Sequence, residues 1–113
     1  MNGNFGNMNL NKMMQQAQKM QAEMLKIQEE VAARTVEAAV GGGMVKVTAS
    51  GGGEITSVKI DPAAADPEDV EMLQDMVLAA VNEALRRGKD MMAQEMGKLT
   101  GGLGLPGMNL PGF

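Results

Sequence analysis

Apolar side chains recur at alternating spacings of three and four residues through the first third of the chain. This heptad pattern is typical of a helix that packs along its whole length on a partner. Good helix formers fill the other positions, and Asn9 or Asn11 could cap the start. The pattern predicts a helix over residues 9–33, about 37 Å long. Its packing seam comprises Leu10, Met13, Ala17, Met20, Met24, Ile27 and Val31.

From Thr35 the hydrophobic period changes to two, which predicts three short strands. Gly41–Gly43 and Gly51–Gly53 separate the strands at hairpin spacing, where glycine supplies the positive φ angles of tight turns. We interpret the triplets as turns, because neither has the spacing of a phosphate-binding loop that leads into a helix. An antiparallel meander follows. Its inward positions are Val36, Ala38 and Val40, then Val45, Val47 and Ala49, then Thr56, Val58 and Ile60.

A second helix is predicted from Asp66, the expected N-cap, to about Gly97. Its apolar stripe follows an approximately eleven-residue repeat, so we expect a straight helix. The stripe comprises Val70, Leu73, Val77, Val81, Leu85, Gly88, Met92, Met96 and Leu99. The fold class is therefore α+β with the order α-β-β-β-α, a small antiparallel three-stranded sheet and two long protruding helices. We expect a flexible N-terminus over residues 1–8, one domain over 9–99 and a flexible tail rich in Gly, Pro and Leu over 100–113.

The composition argues against catalysis. The 113 residues include no Cys, His, Trp or Tyr, which excludes disulfides, zinc sites and most nucleophiles. Carboxylates lie in solvated helical patterns, so a hydrolase that uses them with a hard cation is the weakest alternative. We expect no enzyme, catalytic residue, metal, cofactor or small-molecule substrate. The sequence shows no signal peptide and no membrane span, which predicts a cytoplasmic location and no membrane partner.

Two features favour self-association. The predicted helices are longer than a compact domain of this size is wide, and a three-stranded sheet leaves edges open for pairing. A twofold homodimer would cover the protruding helices and the open strand edges.

The 13 Met residues allow two interpretations: an adaptable filler of the core, or a partner-binding surface that can repack.

Several segments of the chain together form a recognisable pattern. They are Gln16–Gln21, Met24, Lys26–Glu30, Val45–Thr48, Val58–Pro62, Asn82–Arg87 and the Gly-Leu-Pro-rich tail. In this order they resemble the YbaB/EbfC family of bacterial nucleoid-associated proteins. The resemblance implies a tweezer-shaped homodimer whose helical arms hold double-stranded DNA with low sequence specificity. It also implies a nucleoid location, a role in gene regulation, and recombination or replication proteins as candidate partners.

The basic residues supply a candidate DNA-binding surface. Lys12, Lys19 and Lys26 repeat at seven, which places them on one outward face of the first helix. Against this, the formal net charge is −4, and residues 61–85 contain seven acids and no basic residue. The lysines could also form only a solvated face, and the arginines could pair with neighbouring acids. The candidates are Lys12, Lys19, Lys26, Arg86, Arg87, Lys89 and Lys98.

Two hypotheses follow. The first is a dimeric nucleoid protein that clamps duplex DNA, and the second is a Met-rich helical adaptor that binds a repair or replication protein with weak or no DNA contact. Phe5 and Phe113 are the only aromatic residues, so the body of the domain offers no ring for stacking unpaired bases. This favours duplex DNA over single strands or RNA.

Overall fold

The structure is a computed structural model that describes residues 2–101, with side chains over residues 9–99. It confirms the α-β-β-β-α order, and its sheet has the strand order β1-β2-β3 with both pairs antiparallel. The first helix begins earlier than predicted, at Asn2 and not at residue 9, and the second has about the predicted length but lies about one turn further along the chain. Most of the predicted tail, residues 102–113, lies outside the described residues. The elements are α1 (Asn2–Ala33), β1 (Thr35–Val40), β2 (Val45–Ser50), β3 (Ile55–Ile60) and α2 (Val70–Gly101).

The predicted N-cap of α2 is wrong by one turn. Asp66 accepts a hydrogen bond from the Glu68 amide at 2.9 Å, and its carbonyl accepts one from the Asp69 amide. Residues 66–69 therefore form a turn before the helix begins. Asp69 takes the capping role, because its side chain accepts from the Met72 amide at 3.2 Å.

The core lies between α2 and one face of the sheet. Val45 and Val47 of the central strand are fully buried, as are Ala80 and Ala84 of α2. The inward face of the sheet agrees with the predicted alternation on β1 and β2. On β3, however, Val58 and Ile60 remain 46% and 40% exposed, because α2 lies over β1 and β2.

Small residues allow the backbone of α2 to approach β2 closely. Ala80, Ala84 and Gly88 follow one another at i, i+4 spacing, and all three are buried. A β-carbon at Gly88 would lie 2.6 Å from the Ser50 carbonyl oxygen. The predicted apolar stripe included Gly88 but missed the two alanines, which lie deeper in the core than the larger residues beside them.

The two glycine turns define opposite ends of the sheet. Gly41, Gly42 and Gly43 all have positive φ angles, from 62° to 94°, which confirms the predicted turn. A β-carbon at Gly41 would meet the Met76 sulfur, so the first half of α2 lies at this end. In the other turn, a β-carbon at Gly51 would collide with the Val31 carbonyl oxygen, and one at Gly88 would lie 3.8 Å from the Gly51 α-carbon. The last turns of α2 therefore extend beyond the Gly51–Gly53 end.

The helices form an arm that projects from the Gly51–Gly53 end of the sheet. The molecule measures 83 × 26 × 16 Å, which is far from the shape of a compact domain. Along the α1 seam, exposure falls from 64% at Met13 to 2% at Val31, with Met20, Met24 and Ile27 half-buried. Within one chain, the half of the seam nearer the sheet, from Met20 to Val31, is therefore at least partly covered. Leu10, Met13 and Ala17 remain exposed, and their packing on a partner stays a prediction.

We expect Gly88→Ala to destabilise the fold by about 1–3 kcal/mol, because the added methyl group collides with a backbone carbonyl. Gly97→Ala is the matched control in the same helix, where a β-carbon has nothing within 4 Å. It should stabilise the protein by about 0.5–1 kcal/mol through helix propensity. Urea denaturation followed by circular dichroism measures both changes. Equal effects of the two substitutions would contradict the close approach.

Candidate nucleic-acid interface

The three predicted lysines of α1 lie on one exposed face of the arm. Lys12 and Lys19 line a shallow depression of about 320 Å³ together with Gln15 and Gln16. Among the described residues, no carboxylate lies within ion-pair distance of Lys12, Lys19 or Lys26. Glu23 and Glu30 share this face four residues after Lys19 and Lys26. Lys12 is therefore the one lysine of the three with an uncharged residue, Gln16, at the same spacing, whereas Lys19 and Lys26 each share the face with a glutamate.

The two predicted arginines of α2 are engaged in ion pairs. Arg86 donates to Glu83 at 2.6 Å and to Asp90 at 3.2 Å. Arg87 donates to the same Glu83 carboxylate at 3.0 Å and to the Glu37 carbonyl of β1 at 2.8 Å. Arg87 thus ties α2 to the edge strand of the sheet. The hydrogen bonds from Arg86 and Arg87 hold the pKa of the Glu83 carboxyl below its ordinary value.

Glu95, further along α2, also contacts two basic side chains. It accepts a hydrogen bond from Lys98 at 2.9 Å and lies 3.7 Å from Arg34, which follows α1. The bond from Lys98, assisted by the charge of Arg34, lowers the pKa of Glu95. Lys89, by contrast, lies beside an open apolar depression of about 540 Å³ that Gly51–Gly53, Leu85 and Met92 also line.

The predicted basic residues therefore divide into two groups. Arg86, Arg87 and Lys98 have acidic partners, whereas Lys12, Lys19, Lys26 and Lys89 have none within ion-pair distance in the described part of the chain. Paired cations have part of their charge neutralised before any anion arrives. The geometry makes the α1 lysines the better candidates for contact with phosphate.

The sequence interpretation overlooked two further lysines, Lys46 and Lys59. They lie directly opposite each other on β2 and β3, on the face of the sheet that α2 does not cover. Both occur at outward positions of the period-two pattern, and this was the available signal. Their pairing depends on a register shift at Thr48 and Ala49, which a simple hairpin pattern does not reveal.

Within the described residues 2–101, neither helix is long and apolar enough to span a bilayer. No three acidic side chains in that part of the chain group closely enough to hold a metal ion.

The fold and its basic arm define a class of elongated α+β protein suited to contacts with a polyanion. Residues 5–103 match the model of the YbaB/EbfC DNA-binding family. A nucleoid-associated protein of Pelotomaculum thermopropionicum is 63% identical over 100 residues, covering 88% of this chain and 95% of the relative. One of Moorella thermoacetica is 62% identical over 99 residues, with the same coverage.

A solved structure shares the fold. The crystal structure of the uncharacterized protein HP0035 from Helicobacter pylori matches with a TM-score of 0.55 and 27% identity. The match covers 66% of this chain and 86% of that one. The chain belongs to the YbaB/EbfC DNA-binding family, as its sequence pattern indicated, and this is a family of DNA-binding proteins rather than of enzymes.

We expect Glu83→Gln to lower the melting temperature at neutral pH. We also expect the melting temperature of the variant to change less than that of the wild type as the pH falls. The folded-state pKa of Glu83 lies below the ordinary value of 4.5, so its contribution is complete above that pH. The contribution is lost as pH falls through the folded-state pKa. Thermal melts from pH 3 to pH 7 should therefore converge for the variant and the wild type at the acid end. Glu71→Gln, at a carboxylate outside these pairs, is the control. A constant difference at every pH would contradict the assignment.

Proposed function

We propose that this chain forms a homodimer that binds double-stranded DNA through the basic faces of its helical arms, with low sequence specificity. In this role it contributes to nucleoid organisation and gene regulation. Membership of a DNA-binding family is the observation that carries the proposal. The lysine face of α1 supports it, because an exposed helix face with unpaired ammonium groups attracts phosphates without reading bases.

The distribution of charge supports the arms as the binding element. Asp61, Asp66, Glu68 and Asp69 cluster between β3 and α2, at the Gly41–Gly43 end of the sheet. The arm projects from the other end, so these acids are separated from Lys12 and Lys19 by the length of the sheet. A net charge of −4 is therefore compatible with local attraction of a polyanion.

An exposed apolar face supports the homodimer. Val58 and Ile60 of β3 lie on the same face of the sheet as the core, but α2 does not reach over them. On α2, Leu78 is 61% exposed, and Val81 is half-buried against the core. A second copy that offers the same face across a twofold axis covers these side chains and extends the core.

We expect Val58→Asp to convert the dimer to a monomer, because it places a charge in the proposed apolar interface. Ser57→Asp is the control, since Ser57 points to the opposite face of the strand. Sedimentation equilibrium measures both variants. A monomeric wild type, or a Val58→Asp variant that remains dimeric, would show that the interface lies elsewhere.

We expect Lys12→Gln, Lys19→Gln and Lys26→Gln together to weaken duplex binding strongly. The slope of log affinity against log salt should become shallower by about 0.9 for each lysine that contacts a phosphate. The matched control combines Arg34→Gln, Arg86→Gln and Lys98→Gln, which removes the same charge from side chains that already have acidic partners. Fluorescence anisotropy of a labelled duplex should show a much smaller loss for the control.

Equal losses in the two triple variants would mean that net charge, and not the α1 face, controls binding.

The exposed Leu10, Met13 and Met14 favour the second candidate function, an adaptor that binds a repair or replication protein. If the wild type shows no salt-sensitive duplex binding, the adaptor replaces the DNA clamp.

A further inference from the structure

The face of the sheet that α2 leaves open carries a pair of lysines in direct opposition. Lys46 of β2 and Lys59 of β3 are register partners, and both are exposed. Directly opposite side chains in an antiparallel pair start from β-carbons about 5 Å apart. Like charges in this arrangement repel each other and destabilise the sheet.

Nothing in the described part of the chain neutralises this pair. No carboxylate there lies within ion-pair distance of Lys46 or Lys59, whereas Arg34, Arg86, Arg87 and Lys98 all have such partners. Glu37 shares the open face, but its register partner is Thr48. Among residues 9–99, no ion pair therefore compensates the repulsion between the two ammonium groups.

The acidic residues that follow β3 are engaged elsewhere. The side chain of Asp61 accepts from the Ala63 amide at 2.8 Å, that of Asp66 from the Glu68 amide, and that of Asp69 from the Met72 amide. These three carboxylates cap the turns and the helix that they precede. They lie near the lysine pair in sequence without forming ion pairs with it.

The surroundings of the pair are flat. Ala39 is the β1 partner of Lys46, and Thr48 and Ser57 are the next register pair along the sheet. All three side chains are short. The Lys46 side chain extends towards Gly43, where a β-carbon would lie 3.6 Å from its ε-carbon. None of these register neighbours blocks the approach of a rigid polyanion to the two ammonium groups, and the one acidic side chain of the open face, Glu37, lies diagonally from Lys46 on β1.

We propose that Lys46 and Lys59 form a second phosphate-binding surface, which contacts the backbone of duplex DNA outside the helical arms. This inference rests on the proposed function and adds a contact surface to it. Two mobile ammonium groups on a flat sheet suit phosphates, which carry no sequence information. Binding of a polyanion also relieves the repulsion that the free sheet carries. In a homodimer the surface occurs twice.

The test is the double substitution Lys46→Gln and Lys59→Gln in the full chain. Duplex affinity at about 0.1 M salt should fall roughly tenfold, and the salt slope should become shallower by about 0.9 per lost contact. Thermal stability should stay equal or rise, since the repulsion is removed. Lys46→Arg with Lys59→Arg keeps both charges and should retain the wild-type affinity and slope.

A third variant changes no lysine. Ala39→Glu places a carboxylate opposite Lys46, so it should weaken DNA binding while it stabilises the sheet. The inference is overturned if the Gln variant binds as the wild type does, or if the Arg variant loses as much affinity as the Gln variant. In both cases the arm proposal stands, because the wild type and the α1 variant test it separately. A wild type that binds no duplex overturns both proposals.

Discussion

The close approach of the α2 backbone to β2 is the constraint on which the rest of the molecule depends. Ala80, Ala84 and Gly88 remove side-chain volume at the points where the helix crosses the central strand. The helix therefore lies flat on β1 and β2, and its continuation past Gly88 is aimed beyond the sheet. Because α1 packs against that continuation, the direction of the whole arm follows from three small side chains.

Charge is organised differently in the two halves of the molecule. Carboxylates at the start of α2 cap turns and the helix, and Glu83 and Glu95 bind the cations of α2 and Arg34. The lysines of α1 and of the open sheet face have no such partners among the described residues. The net negative charge of the chain therefore says little about the surface that a polyanion meets.

Much of this arrangement could be predicted from the sequence, since a hydrophobic period identifies the type of an element and its apolar face. The order of the elements, the three strands and their glycine turns were predicted correctly, whereas the start of each helix was displaced. The period did not reveal that Met13 and Val58 stay exposed within one chain, because their cover depends on what packs against that face. The ion pairs of Arg86 and Arg87 could only be raised as an alternative, because helical spacing brings acids and bases together without choosing partners. The opposition of Lys46 and Lys59 was missed, because it depends on the register shift near Ala49. The cap moved from Asp66 to Asp69 because a local turn competed with the helix start.

The contact of Glu83 with two arginines affects how the charge of this surface can change during evolution. One carboxylate binds two guanidinium groups, so a single substitution at this position would remove an acidic partner from both, leaving Arg86 paired with Asp90 and Arg87 bonded to the Glu37 carbonyl. The basic residues themselves would remain unchanged. Relatives could therefore adjust the electrostatic character of the arm in one mutational step, at the expense of the ion pairs that Glu83 forms with Arg86 and Arg87. The local charge of the arm and the stability of the fold are therefore coupled at this position.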